Sequence, residues 1–249
     1  MISKKELLDQ GRLNNFNTQQ SEIDYLQHIV LSTLYRNPIK GLVFKGGTAL
    51  QKVYGLKRFS EDLDFDAEKD IIHFIEKAVK EVENYYDIDY KYTENKLSST
   101  FNLKIKGPLF DGSDLSIETI RIELSMREIP LLEPEKLFIN PPYRDLGTYE
   151  LSLMRKEEIL AEKIRALLYG DRARDVYDLW FLIKKGTRID KALVNKKLQL
   201  YSKDKKLSDF NIAEEIEKER KKWELEMNIL TKTLPTFEEA KETILDALS

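Results

Sequence analysis

Apolar positions recur with helical spacing over Ser21–Tyr35, where Ile23, Leu26, Ile29, Val30 and Leu34 share one face and Ser21 supplies an N-cap. His28 lies inside this helix and reads as an ordinary helix histidine. Asn37-Pro38 stops it, because the residue before proline is pushed out of the helical region. Leu42-Val43-Phe44 is a short apolar run ending at Gly46-Gly47, the pattern of a buried strand and a tight turn. Thr48 to about Tyr54 predicts a short helix stopped by Gly55. Leu63-Asp64-Phe65 predicts a second short strand. Helical periodicity returns from about Glu68 to Tyr85 through Ile71, Ile72, Ile75, Val79 and Val82. Alternation over Asp87–Thr93, Thr100–Lys106 and Ser116–Arg127 predicts three strands. Residues 128–150 contain Pro130, Pro134, Pro141 and Pro142 and read as a long connection, the best domain boundary. Everything beyond has helical spacing: about 154–169, 173–185, 189–200, 209–231 and 236–248. The expected organisation is therefore α+β, a mixed region 1–150 and an all-helical region 151–249.

Composition narrows the chemistry. The 249 residues are 41% hydrophobic and 34% charged, as expected for a soluble globular protein. No cysteine and only two histidines, His28 and His73, exclude disulfides, thiolate chemistry and histidine-rich metal sites. No apolar run approaches the roughly 20 residues that cross a bilayer, so no membrane role and a cytoplasmic location are expected. The net charge of -3 gives no overall basic field, and DNA is not an expected partner. An enzyme of this composition must work with carboxylates, lysine, arginine and hydroxyls.

The stretch Phe44-Lys-Gly-Gly-Thr-Ala-Leu50 through Arg58-Phe-Ser-Glu-Asp-Leu-Asp-Phe65 carries the most chemistry. On a strand, Asp62 and Asp64 would point to one side while Leu63 and Phe65 enter the core. Two converging carboxylates repel, and a divalent cation relieves the repulsion; Mg²⁺ prefers such hard oxygen ligands. Gly46 and Gly47 allow close backbone approach, the following helix start offers N–H groups to an anion, and Thr48 adds a hydroxyl. Together these read as a phosphate cradle beside metal acids, the layout of phosphoryl or nucleotidyl transfer. Each part alone has a simpler reading: a turn for the glycines, a solvated loop for the acids. In this order and spacing they resemble the polymerase-β-like nucleotidyltransferase superfamily. That superfamily carries a third acid on a later strand. Glu123 is the candidate here, the alternative being a surface glutamate paired with Arg121 or Arg127.

Two later segments extend the pattern. Lys163 shares a helical stripe with Leu160, Ile164 and Leu167, so it either snorkels to water or meets a buried anion such as a nucleotide phosphate. Asp175 and Asp178 stand one turn apart among Val176, Tyr177, Leu179 and Trp180, where charges need partners; Arg172 and Arg174 could serve. The four segments, ending in Arg174-Asp-Val-Tyr-Asp-Leu179, together resemble the AbiEii/AbiGii toxin family of nucleotidyltransferases over residues 20–185. The resemblance implies a nucleotidyltransferase core of mixed sheet and helices followed by a helical region that contributes Lys163 and Asp175. It matches Gly47 and Thr48 to the first motif, Asp62 and Asp64 to the second, Lys163 to the third and the Arg174–Asp178 segment to the fourth. Asp175 is favoured over Asp178 as the functional acid. Gly46, Gly47, Thr48 and Lys163 would hold NTP phosphates; Asp62, Asp64 and, as a third candidate, Glu123 would hold Mg²⁺. Lys45, Arg58, Ser60, Arg174 and Asp178 lie in the same motifs and are additional candidates.

The implied reaction moves a nucleoside monophosphate from an NTP to an acceptor. An RNA such as a tRNA 3′ end is the expected acceptor, and a cognate antitoxin the expected partner, in toxin–antitoxin or phage-defence (abortive-infection) systems. A small molecule or a protein could be modified instead, or the chain could be a non-catalytic nucleotide-binding module. Residues 184–206 hold nine Lys/Arg against two Asp/Glu, a net of +7. That run suits either a solvated helix face or a track for an RNA backbone.

Overall fold

A computed structural model describes residues 1–36, 39–68, 71–170 and 172–249. The stop at Asn37-Pro38 lies outside the described residues. By internal contacts the chain divides into two units. One comprises Met1–Val53, Phe59–Ile129 and Pro134–Leu153; the other comprises Tyr54–Arg58, Pro130–Glu133 and Met154–Ser249.

The first unit is built on seven strands: β1 (Leu42–Lys45), β2 (Leu63–Ala67), β3 (Ile88–Glu94), β4 (Ser98–Ile105), β5 (Glu118–Ser125), β6 (Glu135–Ile139) and β7 (Tyr149–Leu153). Their order is β3-β4-β5-β2-β1-β7-β6, parallel at β2–β5 and β1–β7 and antiparallel elsewhere. The helices are α1 (Lys4–Leu13), α2 (Thr18–Arg36), α3 (Gly46–Tyr54) and α4 (Ile72–Lys80). One sheet face is wholly apolar at its centre: Phe44, Leu63, Phe65, Ile122 and Leu124 are all buried. Helix α2 packs on the sheet against β5 and β7.

Several expectations shift. Helix α1 has no apolar stripe strong enough to read, but Ser3 and Glu6 form a capping box that starts it. Helix α2 begins at Thr18 rather than Ser21, because Asn17 and Gln20 bond each other's backbone N–H groups reciprocally. Helix α4 is shorter than 68–85: it gives way to a 3-10 turn at Glu81–Asn84. The proline-rich 128–150 stretch is not merely a connection, since β6 and the start of β7 lie in it.

The second unit consists of α5 (Lys156–Tyr169), α6 (Ala173–Lys184), α7 (Lys191–Gln199), α8 (Ile212–Lys218), α9 (Arg220–Leu230) and α10 (Phe237–Leu248). Helix α6 is its centre and packs on α5, α9 and α10. The expected 209–231 helix is two helices, broken at Glu219. Lys197 of the basic run is fully buried between Glu158 (2.6 Å) and Glu162 (3.1 Å), so it is a core ion pair. Mixed α+β structure, with a seven-stranded mixed sheet and helices, agrees with the expected fold class. No helix among the described residues is long and apolar enough to cross a membrane.

Candidate active site

Strand β2 pairs with β1 so that Asp64 lies opposite Lys45, and with β5 so that Asp64 lies beside Glu123; Glu123 in turn lies opposite Thr100 on β4. Paired residues share a face, so Lys45, Asp64, Glu123 and Thr100 form one polar row across four strands. Asp66 follows Asp64 on that face and is buried, with the Lys45 ammonium 2.6 Å from its carboxylate. Asp64 and Glu123 are half-buried.

Asp62 is placed differently from the expectation. The strand starts at Leu63, so Asp62 stands one residue ahead of it, half-buried. Its backbone carbonyl accepts the Thr48 hydroxyl. Thr48 therefore ties the first turn of α3 to the acidic segment instead of standing free as a donor for phosphate.

The glycine turn is pressed against the acids. Helix α3 begins at Gly46 itself, which has a positive φ of 74°. A Cβ there would sit 2.2 Å from the Asp64 carboxylate oxygen. Only glycine meets both conditions, so the backbone of the turn directly borders the Asp64 carboxylate.

Side chains from two helices hold the entry to β2. Gln27 on α2 donates to the carbonyls of Ser60 (3.0 Å) and Glu61 (2.8 Å), and the Ser60 N–H donates to Gln51 on α3 (2.8 Å). Gln51 donates to Asp24 (3.2 Å), as do Lys52 (2.9 Å) and Tyr143 (2.6 Å). Burial alone would raise the Asp24 carboxyl, but Lys52 and its other partners hold it below the usual range. His28 is buried against Tyr149 at 2.9 Å. Burial, with the Lys52 charge, lowers it to about 3, so the imidazole is neutral. The reading as an ordinary helix histidine stands.

The second unit holds a charge cluster. Arg58 grips Asp178 with two parallel bonds of 2.6 and 2.7 Å. Lys163 lies 2.7 Å from Asp175 and 2.8 Å from Asp178. The partners expected for these acids, Arg172 and Arg174, are replaced by Arg58, 120 residues from Asp178 in sequence. Nor does Lys163 snorkel: it bridges two carboxylates. Burial works against its charge, yet Asp175 and Asp178 hold its pKa above the ordinary lysine value. Arg58 and Lys163 likewise outweigh burial and keep Asp178 low. Asp178 has no exposure, whereas the Lys163 side chain keeps 14%.

As to metal, no group of three or more His, Asp or Glu among the described residues could cage an ion. Asp62 and Asp64 offer hard oxygens from two carboxylates. That suits Mg²⁺, which keeps several waters and takes one or two carboxylates plus phosphate oxygens. Glu123 is less suited, because its carboxylate is 2.7 Å from Arg121.

Residues 33–247 match the family described as "Nucleotidyl transferase AbiEii toxin, Type IV TA system". The chain belongs to the AbiEii family of nucleotidyltransferase toxins. Solved structures share the fold of this AbiEii protein. The nucleotidyltransferase toxin MenT4 of Mycobacterium tuberculosis H37Rv is 21% identical with a TM-score of 0.66, over 98% of this chain and 89% of that one. A putative nucleotidyltransferase of H. pylori is 24% identical with a TM-score of 0.59, over 90% and 92%. JHP933 of Helicobacter pylori is 21% identical with a TM-score of 0.55, over 91% and 89%. A search of curated proteins finds no match. Membership in the AbiEii family makes the chain a nucleotidyltransferase toxin of the type IV toxin–antitoxin class.

Sequence reasoning missed Asp66, although the Asp-x-Asp-x-Asp alternation of residues 62–66 contains its signal. It also missed Gln27, Gln51 and Asp24. Their roles depend on pairings between α2, α3 and the β2 entry that no local pattern announces.

Proposed function

We propose that the protein transfers a nucleoside monophosphate from an NTP to an RNA acceptor, such as a tRNA 3′ end, and that Asp62 and Asp64 hold Mg²⁺ for this reaction. The observation that carries the reading is the contact between the Gly46 backbone and the Asp64 carboxylate. It supports reading the glycine turn as a phosphate site and Asp64 as a metal acid, because a purely structural turn has no need of a carboxylate pressed against it.

In the reaction an acceptor hydroxyl oxygen bonds to the α-phosphorus as its proton passes to solvent, the α–β phosphoanhydride bond breaks, and pyrophosphate leaves. When bound, Mg²⁺ would supply charge neutralisation on the phosphates. The backbone of Gly46 and Gly47 approaches the phosphates closely, and the N–H groups at the start of α3 favour their negative charge. Thr48 acts by fixing the Asp62 carbonyl. Lys45 balances Asp66 beside Asp64. Asp175 and Asp178 keep Lys163 charged against its burial, and Arg58 fixes Asp178 with two bonds.

Growth arrest relieved by a cognate antitoxin, in a toxin–antitoxin or abortive-infection setting, follows from transfer to an essential RNA. The test is incubation with each labelled NTP, Mg²⁺ and total RNA from the native source. Label on RNA that is absent with Asp62→Asn and Asp64→Asn supports the proposal. Label on protein or on a small molecule replaces the acceptor, and no label with any NTP removes the enzymatic reading.

A further inference from the structure

Helix α5 ends at Tyr169, and Tyr201 follows α7 by two residues. The two rings stack with centroids 5.9 Å apart and planes 25° from parallel. The Arg165 guanidinium lies 4.3 Å from the Tyr201 ring centre. Phe210 closes on Tyr169 edge-on at 5.8 Å, and the Lys205 ammonium stands 6.0 Å from the Phe210 ring. Aromatic clusters of this kind normally pack inward. Here Tyr169 and Tyr201 remain 44% and 43% exposed.

The surrounding charge is positive in excess: Lys203, Lys205 and Lys206 are exposed, against the exposed carboxylates Asp204 and Asp209, the latter accepting the Lys206 backbone N–H at 2.8 Å. Glu162, on α5, is already engaged by Lys197. Stacked aromatic faces with a guanidinium and a run of lysines are what unpaired nucleic-acid bases and their phosphates recognise: bases stack on rings, phosphates meet the cations.

We propose that Tyr169, Tyr201 and Arg165, with Lys203, Lys205 and Lys206, form a platform that holds an unpaired RNA strand. The assignment to RNA rests on the acceptor reading above. The stacking and charge do not depend on it. The basic run is then a strand-binding edge, not only a solvated face.

The test is fluorescence anisotropy without NTP, using a labelled unpaired RNA of about 12 nucleotides over a series of salt concentrations. Tyr169→Leu/Tyr201→Leu should weaken binding about ten-fold or more, while Tyr201→Phe binds like wild type. Lys203→Gln/Lys205→Gln/Lys206→Gln should weaken binding and lower the slope of log affinity against log salt by about 2. These lysines are exposed, so that variant carries the test even if the tyrosine variant unfolds. Duplex RNA of the same length should bind more weakly than the single strand. Single-stranded DNA separates the sources: weaker binding assigns the platform to RNA, and tighter binding overturns that assignment. Wild-type affinity in the lysine variant, or equal affinity for duplex and single strand, overturns the platform. A protein that labels RNA normally in both variants leaves the transferase standing without this platform. One that binds RNA through it yet transfers nothing has the platform without the transferase.

Discussion

The acid row on β2 and the charge cluster around Asp178 use the same residue types to opposite ends. In the second unit two cations and two carboxylates balance, and Asp178 is sealed by a bidentate arginine and a lysine. Such a network satisfies itself. Its members support structure, since removing one leaves a buried charge alone. In the first unit Asp62, Asp64, Asp66 and Glu123 outnumber Lys45 and Arg121, and Asp62 and Asp64 keep partial access to solvent. Excess negative charge held in place by Thr48, Gln27 and Gln51, and left partly accessible, is what the proposed Mg²⁺ would meet. Full burial with full pairing suits a structural charge; on the proposed reading, partial exposure on a fixed backbone suits one kept for a ligand.

That contrast can be broken experimentally. Asp64→Asn should lower the transfer rate roughly 10³-fold with little change in the urea midpoint, measured on the same preparation. Arg58→Met should do the reverse in kind: a stability loss of about 3–5 kcal/mol by urea denaturation, because Asp178 and Lys163 lose their balance. Gly46→Ala should cost about 1–3 kcal/mol from the left-handed backbone and should also impair Mg²⁺-dependent NTP binding, since its Cβ displaces the Asp64 carboxylate. An alanine variant with unchanged NTP binding would separate the glycine turn from the acids.

The smallest effect is one of pH. His28 has a folded value of about 3 against 6.5 for the free group. Below about pH 6.5 the unfolded chain therefore takes up a proton that the folded protein refuses. The stability contributed by neutral His28 is present above that pH and is lost as pH falls toward 3, with a slope of at most about 1.4 kcal/mol per pH unit. His28→Gln should flatten unfolding free energy measured from pH 7 to 5; an unchanged slope would mean the histidine is not sealed off as described.

Much of the first unit was legible because its signals are local. Leu63 and Phe65 alternate with Asp64 and Asp66, and a period of two defines both a strand and its faces. Gly46-Gly47 marks a turn wherever it occurs. β6 was hidden because Glu135–Ile139 lies among four prolines whose local message is a loop, and pairing with β7 overrides it. The Ser3/Glu6 capping box was a readable signal for α1 that the weak apolar stripe obscured. Arg58 was legible as a motif residue but not as the partner of Asp178. Nearby Arg172 and Arg174 offered a local solution, while a salt bridge across 120 positions has no sequence signature. The same holds for Thr48, whose hydroxyl had an obvious phosphate role in sequence and a backbone role in the fold.

On the proposed reading, Asp62 and Asp64 are kept for a metal–nucleotide complex. Isothermal titration calorimetry with each NTP, with and without Mg²⁺, tests it on wild type, Asp62→Asn and Asp64→Asn. Mg²⁺ is expected to strengthen NTP binding to wild type and to have no such effect on either folded variant. Equal enhancement by Mg²⁺ in all three proteins would contradict it.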